Sequence, residues 1–308
     1  MRVFVSGVNG QLGRDVAEEL LRRGHEVIGS DLADSCAGLL DGAPLSSAVY
    51  AQLDITDDSA VKALISRIRP EAVIHCAAWT AVDAAEDPAN RETVFAVNAQ
   101  GTRSLAEAAK SVDAAMLYLS TDYVFDGQGT RPWAADDTCF APLNVYGQSK
   151  LAGEMAVSSI LEKYFIVRIA WVFDRNGKNF IRTMIGAGKT HSSVRVVNDQ
   201  IGTPTYTRDL APLLADMIES DRYGYYHATN SEAAPGAYIS WYDLCVASYR
   251  LYGLKTEVIP VSTAEYGLSK AARPANSRLD KGKLAENGFT PLPVWEDAVR
   301  RYLKEAEL

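Results

Sequence analysis

Tyr146 and Lys150 stand four residues apart in the run Tyr146-Gly147-Gln148-Ser149-Lys150. On a helix this spacing sets both side chains on one face, one turn apart. An ammonium beside a phenol favours the phenolate and lowers a pKa that is otherwise about 10. Such a pair suits proton exchange with a carbinol or ketone oxygen. Ser120 and Thr121 close an apolar run upstream, and a hydroxyl there can bond the same oxygen. Tyr-x-x-x-Lys alone is common on surface helices, so its weight depends on what surrounds it.

Near the start, Ser6-Gly7-Val8-Asn9-Gly10-Gln11-Leu12-Gly13 spaces three glycines as G-x-x-G-x-x-G. A first glycine permits a tight turn after a strand. A second lets backbone approach a diphosphate, and a third lets helix and strand pack closely. The helix that follows offers unpaired N–H groups to phosphate oxygens. Asp31 follows the second apolar run, where a carboxylate binds a ribose hydroxyl. A carboxylate there repels a 2′-phosphate and favours NADH, whereas Arg14 is placed to receive that phosphate. NADPH and NADH both stay open.

These residues need a frame, and short apolar runs alternating with helical patterns supply one. Val3–Val5, Val27-Ile28, Val73–His75, Met116–Ser120 and Phe165–Val167 read as strands. Gln11–Arg23, Val61–Ile68, Val94–Lys110 and Leu143–Leu161 carry helical periodicity between them. Repeated βα units predict an α/β fold, a Rossmann-type doubly wound parallel sheet. The rhythm changes after about Ala170, where Gly, Pro, Asn and Tyr become frequent. The division expected is a dinucleotide-binding domain over 1–170 and a smaller, irregular substrate lobe over 171–308. Segments such as Asp209–Ile218 are expected to return to the sheet.

The whole chain narrows the function classes. Its 308 residues hold 31 Lys and Arg against 39 Asp and Glu, a net charge of −8. That balance argues against nucleic acid and against a polybasic membrane anchor. Cys36, Cys76, Cys139 and Cys245 form no Cys-x-x-Cys pair, so reduced thiols are expected. No leader pattern opens the chain, and no apolar run approaches the roughly 18 residues of a membrane span. A cytoplasmic location is the expectation.

Taken in order, SGVNGQLG, Asp54-Ile55-Thr56-Asp57, His75-Cys76-Ala77-Ala78, Asn98, STDYVFDG and YGQSK resemble the extended short-chain dehydrogenase/reductase superfamily. The blocks APLNVYGQSKLAGE, Trp171, NDQIGTPT and ARPANSRL are similar to its reductases of 4-keto nucleotide sugars, and the likeness spans most of the chain. The resemblance implies reduction of the 4-keto group of dTDP-6-deoxy-L-lyxo-4-hexulose by NADPH or NADH. Tyr146 would supply the proton, Lys150 would tune it and bond the nicotinamide ribose, and Thr121 would orient the carbonyl. Gly10, Gln11 and Leu12 match the phosphate loop that Gly7 and Gly13 shape. Asp54 and Ile55 match adenine contacts, and Ala77, Ala78 and Thr80 the strand end under the cofactor. Val82, Asp122 and Trp171 match sugar contacts. Arg273 is assigned to a diphosphate or to lobe docking. His75 is read as structural, and Asn98 as support for backbone near the lysine. No metal ligand is assigned, and a homodimer is left open.

The resemblance also defines rivals. A 4,6-dehydratase carries Glu where Tyr123 stands, which disfavours dehydration. A 4-epimerase keeps Tyr and Lys and recycles a tightly held NAD. The regulatory subunit of methionine adenosyltransferase is similar too, though an intact Thr121, Tyr146 and Lys150 favour catalysis. The connector between Asp31 and Asp54 is longer than in many relatives, and is read as a flexible flap near adenine.

Overall fold

The computed structural model describes residues 1–36, 49–306 and 308. The first half runs β1 (Arg2–Ser6), α1 (Gln11–Arg22), β2 (Glu26–Asp31), β3 (Val49–Gln52), α2 (Asp58–Ile68) and β4 (Ala72–His75). It continues through α3 (Val82–Ala85), α4 (Arg91–Phe95), α5 (Thr102–Ser111), β5 (Ala115–Thr121), α6 (Val145–Ile160) and β6 (Tyr164–Ile169). A later strand, Gly224–His227, joins these six in one parallel sheet. Its order is Gly224–His227, β6, β5, β4, β1, β2, β3. The chain winds outward from β1 in one direction and from β4 in the other. Loops leaving those two neighbouring strands therefore part, and open a crevice at their C-terminal ends.

Alternation along β1 shows why both faces are covered. Val3 and Val5 join a buried cluster with Leu12, Val16 and Leu20 of α1 and with Leu210 and Leu214 of helix Thr207–Ile218. Phe4 points the other way, into a cluster with Leu64 and Ile65 of α2 and Leu105 of α5. A period of two in a strand does this directly.

The second half is more regular than its composition suggests. Helices Phe180–Thr190, Trp241–Tyr252 and Trp295–Glu305 surround a core that includes Phe173, Ile185, Tyr206, Leu244 and Tyr302. Strands Ser193–Val197 and Glu257–Val261 pair in parallel beside them. The expectation of an irregular lobe is corrected on this point. Its other strands outside the main sheet, such as Ile201–Gly202 and Ile239–Ser240, are two residues long, too short to show a period. The connector reading changes too. Residues 49–52 form β3, paired with β2, while 37–48 lie outside the described residues. A six-residue π-helix, Ala96–Gly101, interrupts what periodicity reads as one helix.

Candidate active site

The glycine loop follows β1. Gly7 has φ of +72°, and a Cβ there would stand 2.5 Å from the Ala77 nitrogen, two residues past the end of β4. Only glycine allows that turn and that approach. Gly13 lies one turn into α1, where a Cβ would overlap the Gly7 carbonyl oxygen. Gly10 opens α1 with no side-chain cap, and the first turn holds no acid. The orphan N–H groups and the positive end of the helix dipole are thus left to an anion. Asp31 ends β2 and accepts hydrogen bonds from the Asn9 N–H at 3.1 Å and the Leu32 N–H at 2.8 Å. Its carboxylate is thereby tied to the glycine loop.

A cleft of about 690 Å³ opens at the reversal in strand order. Gly7, Gly10, Gln11, Leu12, Asp31, Asp54, Ile55, Ala77, Ala78 and Thr80 line it. Val82, Thr121, Asp122, Tyr146, Lys150 and Trp171 line the same cleft. Gly13 is outside the lining because its work is to seat α1. Arg273 is outside it as well. Its guanidinium meets both oxygens of Asp83 at 2.7 and 3.1 Å, tying the 270–273 segment to α3. Arg14 is likewise absent from the lining and stands near Asp174.

Thr121 is the last residue of β5, and Tyr146 lies in the first turn of α6. The start of α6 is fixed from three sides. Asn144 caps it by accepting from the Gly147 N–H at 2.8 Å, and donates to the Ala272 carbonyl at 2.8 Å. Glu86 accepts from the Val145 N–H at 2.7 Å. One turn on, the Lys150 ammonium lies 4.1 Å from the centre of the Tyr118 ring, a cation–π contact inside the protein.

Electrostatics here departs from the expectation drawn from spacing. Burial, reinforced by Asp122, pushes the Tyr146 phenol above its ordinary value, while the Thr121 hydroxyl pulls it back in part. Burial brings Lys150 down to about 7, with Glu154 and Cys76 opposing the fall. Desolvation therefore dominates both groups, and the phenol stays protonated at neutral pH. Asp122 is fully buried and raised to about 6 by burial. It accepts from the Thr121 hydroxyl at 3.0 Å, and Ser277 faces it without reaching hydrogen-bond geometry.

His75 and Asn98 sit behind this face. His75 is held between Ser6 at 2.7 Å and Thr102 at 3.0 Å, and burial lowers it to about 3, so it stays neutral. Asn98, inside the π-helix, donates to Ser149 Oγ at 2.9 Å and to the Trp79 carbonyl at 3.1 Å. It also accepts from the Trp79 N–H at 2.8 Å. It thus joins the β4 exit loop to the residue before Lys150.

The whole chain, residues 1–308, matches the RmlD substrate binding domain family. The chain belongs to that family. It is 38% identical to a dTDP-4-dehydrorhamnose reductase of Streptomyces griseus over 97% of this chain and 91% of that protein. A dTDP-4-keto-6-deoxy-D-glucose reductase of Streptomyces niveus is 35% identical over 97% of this chain and 95% of its own length. The fold superposes with a TM-score of 0.86 on a dTDP-4-dehydrorhamnose reductase of Bacillus anthracis in complex with NADP. The two are 38% identical, over 99% of each chain.

This RmlD-family cleft also contains Lys178, which the sequence patterns did not single out, and Trp241 packs on its Trp171. Trp171 has φ of +51°, in the left-handed region that bulky residues avoid. The Thr205 N–H holds its carbonyl at 3.1 Å, and its indole stacks on Trp241 at 3.9 Å. Nothing in the spacing announces Trp241, which opens a helix in the second lobe. Lys178 lines the cleft from Asp174-Arg175-Asn176-Gly177-Lys178-Asn179, a turn-rich run just after the Trp171 block. Its nearness to the glycine loop is set by long-range packing, which no local pattern encodes. Among the described residues no helix is long and apolar enough to cross a membrane.

Proposed function

We propose that this chain reduces the 4-keto group of dTDP-6-deoxy-L-lyxo-4-hexulose, with NADPH or NADH, to give dTDP-L-rhamnose. The observation that carries the reading is the meeting of Thr121, Tyr146, Lys150 and Trp171 in the cleft that also receives the glycine loop. The residues fit a dinucleotide. α1 opens uncapped and without an acid, and at Gly10, where the loop meets the cleft, there is no side chain to fill the space. Gly7, Gly10, Gln11 and Leu12 would hold its diphosphate, Asp31, Asp54 and Ile55 its adenosine end, and Ala77, Ala78 and Thr80 the middle. When bound, the dihydronicotinamide supplies the hydride to C4.

The chain's own residues do the rest. The Thr121 hydroxyl, which donates to Asp122 in the ligand-free chain, turns to donate its one hydrogen bond to the ketone oxygen and fixes its direction. Tyr146, kept protonated by burial, gives its proton to that oxygen as charge develops. Lys150 supplies a cation beside the forming phenolate and bonds the nicotinamide ribose. Asp122, Val82 and the Trp171 indole seat the sugar ring. In this reading residues 1–170 hold the cofactor and the proton chemistry, and 171–308 close over the nucleotide sugar.

The test is to add the purified chain to dTDP-6-deoxy-L-lyxo-4-hexulose and either dihydronicotinamide cofactor, and to follow consumption of the cofactor. Loss of its absorbance with formation of dTDP-L-rhamnose is expected. Unchanged cofactor with both forms sinks the reading. The Streptomyces niveus relative makes dTDP-4-keto-6-deoxy-D-glucose the second substrate to offer. Faster turnover of that sugar would move the assignment to the other stereochemistry.

A further inference from the structure

A chain with a net charge of −8 must capture anionic ligands with local groups. Among the described residues, two Lys or Arg side chains line the cleft, Lys150 and Lys178. Lys150 is buried at the proton-transfer end, over the Tyr118 ring. Lys178 is exposed, and its backbone is held beside the glycine loop. The Gln11 side-chain amide, in the first residue of α1, donates to the Lys178 carbonyl at 2.9 Å. Gly177 makes that approach feasible, because a Cβ there would overlap the Gln11 amide.

The segment that carries Lys178 is itself tied at several points. Asn179 Nδ2 donates to the Asp174 carbonyl at 2.8 Å, and Arg182 donates to the Arg175 carbonyl at 2.6 Å. Arg175 bridges to Glu18 of α1 at 3.0 Å. The strap therefore spans from the second lobe to the first helix, beside the uncapped helix start. Asp31, at the end of β2, marks the ribose end of the cleft.

We propose that Lys178 is a ligand of the dinucleotide diphosphate, supplied by the second lobe; this rests on the dinucleotide reading above. Its ammonium adds a mobile point charge to the amides of the α1 N-terminus, and the two together neutralise the diphosphate. Its tether to Gln11 selects the diphosphate over a 2′-phosphate. Cofactor binding then draws on both halves of the chain at once.

The test measures binding, by fluorescence or calorimetry, of NADH, NADPH, ADP-ribose and dTDP to the full chain and to Lys178→Gln. The expected result is weakening of about tenfold for NADH, NADPH and ADP-ribose alike, with dTDP unchanged. Lys178→Arg should restore most of the affinity, and the variant should lose binding less steeply as salt rises. Equal affinities in parent and variant overturn the proposal. Loss confined to NADPH moves the lysine to the 2′-phosphate, and loss confined to dTDP moves it to the nucleotide sugar; each also overturns it. A parent chain that binds none of the dinucleotides removes the underlying reading and this inference with it. Thermal midpoints of the ligand-free proteins should coincide, since the side chain is exposed.

Discussion

Tyr146 and Lys150 are both displaced from their ordinary titration ranges by burial, in opposite directions. For a reduction this is useful, because the phenol is kept as an acid and the lysine can exchange charge near neutrality. Tyr146→Phe should lose about 10²–10⁴-fold in kcat while dinucleotide affinity stays close to the parent's, since a proton donor is removed and little else. Steady-state kinetics beside a binding titration checks this. The Lys150 cation is populated below about 7 and lost above it. Turnover should therefore fall as pH rises through that value, and a profile flat into the alkaline range would contradict the assigned role. The native state releases this proton at about 7, whereas the ordinary value is 10.5, so the unfolded chain holds more protons in between. The cost of burying the lysine is full below 7 and is relieved as pH rises toward the ordinary value. Lys150→Met should stabilise the fold more at about pH 6 than at about pH 9 in thermal melts, while abolishing turnover.

α6 shows what an element contributes: it presents Tyr146 and Lys150 on one face only if its first turn is seated. Asn144→Ala should cost about 1 kcal/mol in denaturant titrations and reduce kcat as well, because the cap fixes the turn that holds Tyr146. Gly13→Ala drives a methyl into the Gly7 carbonyl, so it should destabilise by about 1–3 kcal/mol and weaken dinucleotide binding. A Gly13→Ala chain as stable as the parent would show that the helix can shift without penalty. The elements legible in the sequence are those with strong local rules. β1, α1 and the glycine loop announce themselves by three glycines between an apolar triplet and an amphipathic helix. α6 does so by Tyr146, Lys150 and helical spacing. Three features were hidden for physical reasons. β3 is a half-exposed edge strand of four residues, Val49–Gln52, without a clear period. Gly224–His227 lies far along the chain and joins the sheet only through tertiary pairing with β6. The π-helix Ala96–Gly101 preserves apolar spacing nearly as an α-helix does, so periodicity does not separate them.

At the scale of the molecule, two anionic ligands are asked to bind a chain whose charge opposes them. On the proposed reading capture is local, and it falls to the open end of α1, Lys150 and the strap that bears Lys178. Arg273 takes another part: paired with Asp83, it docks the 270–273 segment, where Asp83 also accepts from the Lys270 and Ala271 N–H groups at 3.1 and 3.0 Å. Asp83→Asn should speed hydrogen exchange at Lys270 and Ala271 while leaving dinucleotide affinity unchanged. Unaltered exchange there would show that the pair does not hold the segment. Most of the first-half residues singled out in the sequence line one cleft, since they follow strands in chain order. Lys178 in the lining and Trp241 stacked on Trp171 carry no local signal, because only long-range packing of the second half brings them there. The central claim is hydride delivery to C4 with proton donation by Tyr146. The most direct measurement uses a dihydronicotinamide cofactor deuterated at its C4, with dTDP-6-deoxy-L-lyxo-4-hexulose, and reads the product by NMR. The prediction is dTDP-L-rhamnose with one deuteron at sugar C4 from the parent chain, and almost none formed by Tyr146→Phe in the same time. Consumption of the keto sugar without deuterium at C4, or unconsumed sugar and cofactor, would contradict it.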